Sequence, residues 1–177
     1  MEAPDEELMR AYGQGDAGAF ETLYKRHRGP VYRFVLRAIK NRSTAEELFQ
    51  EVWIRVIEAR SRYAPQARFT TWLYTIAHNL LVDHWRRKGL TLVQLDDEAA
   101  VAAPDNPARQ AEAREALARL LQAIESLPAA QREAFLLHEE AGLSVAEIAA
   151  ATGTNEEAAK SRLRYAMAKL KAAVDDG

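Results

Sequence analysis

The sequence predicts an all-α protein of two small helical domains joined by an extended acidic linker. Glycine and proline are sparse inside the periodic segments, where Ala, Leu, Glu and Arg dominate. No alternating β-branched run is long enough for a sheet, and Thr91-Leu92-Val93-Gln94-Leu95 alternates in isolation. The composition breaks once, over residues 90–108, where Asp96-Asp97-Glu98, the stretch Ala99–Ala103, Pro104 and Pro107 carry no helical period. So long a structureless stretch argues against a single compact domain. The expected units are residues 1–89, the linker 90–108 and residues 109–177.

The first helix is expected over Asp5–Gly13 and the second over Asp16–His27, capped by Asp16. A third, Pro30–Ile39, places its proline in the first turn, where the missing N–H costs nothing. Ser43, with Glu46 three residues on, reads as a capping box opening a helix that runs to about Ser61. The loop Arg62–Arg68 contains Pro65, and a fifth helix runs from Phe69 to Arg87, where Gly89 stops it. The second unit opens with Arg109–Ser126, whose apolar stripe is Leu117, Leu120, Leu121 and Ile124. Pro128 begins the next helix, which ends before Gly142.

Two further helices follow. Ser144 and Glu147 form a capping box, and Val145, Ile148 and Ala149 are the buried face of a short helix. Gly153 supplies the turn, and Asn155 caps the second helix. Small residues at 149, 158 and 159 let the pair approach closely, and basic residues line the second helix: a helix-turn-helix pattern. Lys160, Ser161, Arg162 and Arg164 can reach phosphates and base edges in a major groove. Glu156 and Glu157 suit the helix dipole but repel phosphate; they can also accept from a cytosine amino group. The bland alternative is a helical hairpin with a charged face.

The net charge of −2 hides segregation. Residues 1–92 hold 15 Lys/Arg and 11 Asp/Glu, net +4; residues 93–126 hold 3 and 7, net −4; residues 127–177 hold 6 and 8, net −2. Basic runs at 25–42, 86–88 and 160–171 in an overall acidic chain favour a polyanionic partner over solvated helix faces alone. With no cysteine, disulfides and thiolate zinc sites are excluded. The acidic start and the lack of any long apolar run point to the cytoplasm, with no membrane insertion.

In the fifth helix Phe69, Leu73, Ile76, Ala77 and Leu80 have core spacing, while Trp72, Asn79, Asp83, Arg86 and Arg87 share another stripe. Asp83 and Arg87 stand as an i, i+4 pair. For Phe69 and Trp72 core packing is the better explanation. Asn79 is a poor mid-helix residue whose amide can read an extruded base, with aromatics nearby to stack and arginines to hold phosphate. The loop Tyr63–Arg68 can wall a pocket for a flipped base. In the helix before it, Leu48, Phe49, Val52 and Val56 turn inward. Glu47 and Glu51, with Trp53 and Ile54 close by, form either ordinary surface or a dock for a basic protein.

The segments Ala45–Trp53, Phe69–Asn79 with Asp83 and Arg86-Arg87, and Leu127–Phe135 with the helix-turn-helix together resemble the extracytoplasmic-function sigma factors of bacterial RNA polymerase, in that family's order and over nearly the whole chain. Ala158-Ala159, after Glu156-Glu157, stands where members often carry Thr-Val. The resemblance implies that Glu47, Gln50, Glu51 and Ile54 meet the coiled coil of the largest polymerase subunit, while the second domain meets the flap. Tyr63, Arg68, Trp72, Asn79, Asp83, Arg86 and Arg87 would capture the minus-ten strand. Asn155, Glu156, Lys160, Ser161, Arg162 and Arg164 would read minus-thirty-five duplex. The acidic linker would run through the polymerase cleft, and an anti-sigma factor would be a further partner.

No cofactor, metal site, small-molecule substrate or catalytic residue is expected. The four histidines lack ligand spacing, and His138-Glu139-Glu140 lacks the second histidine of a zincin helix. The rival readings are a stand-alone helix-turn-helix regulator, which leaves the two helices of the first domain without a role, and a sigma-like decoy for an anti-sigma protein, which needs no base-reading residues.

Overall fold

The computed structural model describes residues 2–64, 66–89 and 113–175. The expected linker lies outside the described residues. Among the described residues there are eight helices and no strand: α1 (Asp5–Gly13), α2 (Ala17–Ile39), α3 (Arg42–Ala59), α4 (Phe69–Arg87), α5 (Ala113–Ser126), α6 (Ala129–Glu139), α7 (Val145–Thr152) and α8 (Glu156–Asp175).

Local chemistry explains most of the boundaries. Asp16 accepts from the Ala19 N–H at 3.3 Å and starts α2. Two boundaries depart from expectation. The helices expected either side of Gly29 are one, because Pro30 sits inside α2. The buried stripe Leu23, Val31, Phe34, Val35 and Ala38 runs past the proline, so packing outweighs the lost backbone hydrogen bond. The helix α3 is capped by Asn41, whose Oδ1 accepts from Thr44 N at 3.1 Å, and not by Ser43. Asn41 follows Lys40, which ends α2 in the left-handed conformation at φ 70°. The chain can begin a new helix at once from there.

The helices α1–α4 surround a core built on Phe34, Phe69, Leu73 and Tyr74. An aromatic group beside it joins Phe20, Tyr24, Phe49 and Trp53, with Tyr24 and Trp53 edge to face at 5.0 Å. Trp53 is therefore core, and of the two apolar residues placed on the docking face only Ile54 remains there, at 45% exposure. In the second group Leu137, Leu143, Ile148, Ala159 and Ala166 are buried. Ile124 faces this core from α5, but Leu117 stands 56% exposed, so the expected stripe on that helix is shorter than its spacing suggested.

The two groups do not hang apart. The helix α4 packs on α7, α2 packs on α6, and the buried cluster is continuous through both groups. The sequence, read as two domains on a linker, did not anticipate this contact.

Candidate polymerase and nucleic-acid interfaces

On α3 the buried residues Ala45, Val52, Trp53 and Val56 leave the opposite face to solvent. Glu47 and Gln50 are exposed, Glu51 is half-exposed and bonded to Arg55 Nε at 3.1 Å, and Ile54 follows. Glu58 and Ile57 extend this face. The sequence reading missed both, although Glu58 continues the three-and-four spacing of 47, 51 and 54. Two exposed isoleucines among carboxylates form an apolar strip with an acidic border, a surface complementary to a basic amphipathic helix.

The start of α4 is held from outside. Arg68 is its N-cap and makes no side-chain cap. Glu6 of α1 supplies the acceptor instead, its Oε2 taking the Phe69 N–H at 2.8 Å. Beside it Asp5 binds Arg26 at 3.0 Å and His27 Nε2 at 2.9 Å. Burial alone would raise the Asp5 carboxyl, but the His27 and Arg26 contacts outweigh it and hold its pKa below the usual carboxylate range. Tyr63 meets Trp72 edge to face at 5.0 Å, and Phe69 lies 5.7 Å from Trp72. The half-buried Tyr63 and Trp72 thus form an aromatic wall at one end of α4. Burial, followed by the charge of Glu6, raises the Tyr63 phenol above its ordinary pKa, and its buried hydroxyl has no hydrogen-bond partner among the described residues.

Further along α4, Asn79, Asp83, Arg86 and Arg87 are all exposed. The structure puts them on the outer face as their spacing predicts, while Leu73, Ala77 and Leu80 turn in. The fifteen residue-to-residue steps from Trp72 to Arg87 span roughly 22 Å. Asp83 and Arg87, despite their four-residue spacing, form no ion pair within 4 Å among the described residues. Arg87 is left to act with Arg86 and Lys88 as a cationic end. Burial, and then the charges of Lys88 and Arg87, lower the pKa of His84.

The helix-turn-helix is built as its sequence implies. Ser144 Oγ accepts from Glu147 N at 3.1 Å, and Glu147 Oε1 accepts from Ser144 N at 3.0 Å. Gly153 turns the chain at φ 67°, where a side chain would be strained. Asn155 Oδ1 accepts from Ala158 N at 2.8 Å, which commits that oxygen to the cap and leaves the amide nitrogen to face outward chemistry. Glu156, Lys160 and Arg164 are exposed, and Ser161 and Arg162 are half-buried. Arg164 lies over the Tyr165 ring at 5.6 Å. The exposed Tyr165, which the sequence reading did not select, therefore positions a cation on the same helix.

Among the described residues no helix is long and apolar enough to cross a membrane. The description Sigma-70 region 2 matches residues 23–91 and Sigma-70, region 4 matches residues 117–170. The chain is 36% identical over 168 residues to the RNA polymerase sigma factor CarQ of Myxococcus xanthus, covering 92% of this chain and 93% of CarQ. It is 30% identical over 169 residues to the ECF RNA polymerase sigma factor SigK of Mycobacterium sp. (strain KMS), covering 93% and 87%. The structure of CnrH in complex with the cytosolic domain of CnrY matches with a TM-score of 0.71 and 25% identity, covering 97% of both chains. The α3 face, the α4 face and the α7–α8 pair as far as residue 170 lie within the matched segments, and the chain belongs to the extracytoplasmic-function sigma factors of RNA polymerase.

Proposed function

We propose that this sigma factor divides its work between residues 1–89 and residues 109–177, connected by residues 90–108. In the first unit Glu47, Gln50, Glu51 and Ile54 dock on the coiled coil of the largest polymerase subunit. Tyr63, Arg68, Trp72, Asn79, Asp83, Arg86 and Arg87 capture the melted minus-ten strand. In the second, Asn155, Glu156, Lys160, Ser161, Arg162 and Arg164 read minus-thirty-five duplex while the domain meets the flap. The observation that carries this reading is the outer face of α4. It presents an unpaired mid-helix amide at Asn79 between an aromatic wall and two arginines, all outside the core. Bases stack on such aromatics with about 1–3 kcal/mol each, and arginines hold the phosphates between them.

The protein acts in the cytoplasm, performs no chemistry of its own and leaves catalysis to the polymerase. An anti-sigma protein is a further partner; the fold neighbour CnrH is itself bound to the cytosolic domain of CnrY.

Run-off transcription with purified core polymerase and a randomised promoter library tests the assignment. Asn79→Ala is expected to lower specific transcripts roughly 5- to 150-fold, as for loss of one base contact of about 1–3 kcal/mol. Glu51→Lys leaves Arg55 beside a second cation and is expected to weaken core binding about tenfold or more. Full transcription by both variants would overturn the assignment.

A further inference from the structure

The first turn of α4 carries the aromatic wall, yet the residues around it do little to fix it. A helix leaves its first N–H groups without partners inside the helix. The residue before Phe69 is the place for an acceptor such as Ser, Asp or Asn. Arg68 stands there, and its guanidinium turns to Glu147 Oε2 at 3.2 Å, an oxygen that also accepts from Thr71 Oγ1 at 3.2 Å. Thr70 Oγ1 is buried without a hydrogen-bond partner among the described residues. The backbone bonds of the preceding loop are short-range, Arg62 N to Ala59 O at 2.9 Å and Gln66 N to Ala64 O at 2.9 Å.

Phe69 N therefore depends on Glu6, 63 positions earlier. Glu6 belongs to a closed circuit. Its neighbour Asp5 is held by Arg26 and His27, and Arg26 also donates to Ala3 O at 2.7 Å. The His27 ring packs on Phe69 with centroids 5.3 Å apart, which returns the circuit to the residue whose N–H Glu6 receives. Beyond this point packing does not seal the two helices. A cleft of about 400 Å³ opens between the α1 turn and the start of α4, with Glu2, Glu6, Arg68 and Thr70 among its walls. Loss of the hydrogen bond lets the turn move into that cleft. Trp72 lies one turn beyond Phe69, and Tyr63 meets both rings, 6.3 Å from Phe69 and 5.0 Å from Trp72.

We propose that Glu6 is a positioning residue for minus-ten strand capture: its bond to Phe69 N sets the first turn of α4, and with it the pose of the Tyr63–Trp72 wall on which an extruded base stacks. This rests on the assignment of Tyr63 and Trp72 to strand capture. A gap of roughly 0.5–1 Å already forfeits a quarter to a half of a van der Waals contact, so a small shift at Phe69 is felt at Trp72. Supplying the cap from α1 also frees position 68 for a cation. An Asp or Ser there would fix the helix start locally, but would put a negative or neutral group where the strand's phosphates arrive.

Holoenzyme assembled from the full chain is bound to a forked promoter probe taken from the randomised library. Its minus-ten non-template strand is single, with a fluorescent adenine analogue placed at each base in turn. Stacking on an aromatic ring quenches the analogue, so the position quenched by wild type marks the base on the wall. At saturating holoenzyme, Glu6→Ala is expected to lose about half of that quenching or more. Its affinity for the fork is expected to fall roughly fivefold, as for one lost cap, while affinity for fully duplex minus-thirty-five DNA stays within about twofold. Glu6→Gln keeps an acceptor oxygen and is expected to restore both readings. A role in stability alone would lower the active fraction and leave quenching at saturation as in wild type. That result overturns the proposal, as does a Glu6→Gln variant as impaired as Glu6→Ala. Circular dichroism shows that each variant is folded. Lost quenching in Trp72→Leu beside full quenching in Glu6→Ala leaves strand capture standing and removes Glu6 from it. If no position is quenched, or Trp72→Leu quenches as fully as wild type, the strand-capture assignment falls and the proposal with it.

Discussion

Glu6 shows how much one side chain far away in sequence can decide. It caps α4 across 63 positions, at the end of the helix where Tyr63, Arg68 and Trp72 gather. Replacing a capping oxygen costs about 1 kcal/mol. Glu6→Ala is therefore expected to lower the melting temperature by about 2–4 °C, the shift such a loss produces in a chain of this size. Differential scanning calorimetry checks it, and an unchanged midpoint would mean that water caps Phe69 equally well. Caps made within a few residues, Asp16, Ser144 and Asn155, were legible in the sequence because donor and acceptor sit on one turn. Glu6 was not, since nothing in its neighbours Asp5 and Glu7 marks it as different. Asn79, Arg86 and Arg87 were legible as a face from spacing alone. Tyr165 was not, because a lone aromatic on a basic helix reads as core until its exposure is known.

At the scale of the element, α2 and α7 are instructive in opposite ways. The expected break in α2 failed because a proline within a helix sets local cost against the burial of Val31, Phe34 and Val35 beyond it. Each such side chain contributes roughly 1.5–3 kcal/mol when buried, and together they exceed the penalty of about 3 kcal/mol for the proline. Pro30→Ala restores a backbone donor on the same stripe and is expected to stabilise the protein by about 1–2 kcal/mol after the unfolded chain regains freedom. Urea unfolding measures it, and a loss of stability would show that the fixed φ of the proline contributes more than its missing hydrogen bond costs. In α7 the start was fully legible, but the second use of its capping carboxylate was not. Burial alone would raise the pKa of Glu147. The Ser144 backbone and hydroxyl bonds, then Arg68 and Thr71, outweigh burial and hold it below its ordinary value of 4.5. The stabilisation is thus complete above that ordinary value and is lost as pH falls through the lower folded value. Melting temperatures of the wild type and Glu147→Gln are expected to differ at neutral pH and to converge as the pH falls below the ordinary glutamate range. A constant difference across that range would show that charge at this position contributes nothing.

For the whole molecule, fold class and the existence of two helical groups followed from hydrophobic period and one break in composition. How the groups meet did not follow. Arg33 and Glu140 are 107 residues apart, and each looks like an ordinary surface charge in its own helix. A surface ion pair carries no signature in local sequence; its partner is set by three-dimensional packing. The same holds for the continuous core through α4 and α7, whose apolar faces are each accounted for by their own group when read separately. The closed arrangement therefore had to come from the structure, and with it the expectation that added salt, which screens exposed pairs such as Arg33–Glu140, loosens the unbound protein before it unfolds.

The double service of Glu147 also bears on engineering. Residues 143–164 look like a transplantable cassette, and exchanging them between relatives is the natural way to reprogram promoter choice. Here the cassette carries, besides the helix proposed to read DNA, the carboxylate that bonds Arg68 and Thr71 of the first helical group. A graft that brings a different residue to position 147 changes a contact between the two helical groups as well as the proposed reading helix. Output from such hybrids then mixes two quantities. Keeping glutamate at 147, or swapping residues 68 and 71 along with the cassette, would let recognition be altered alone.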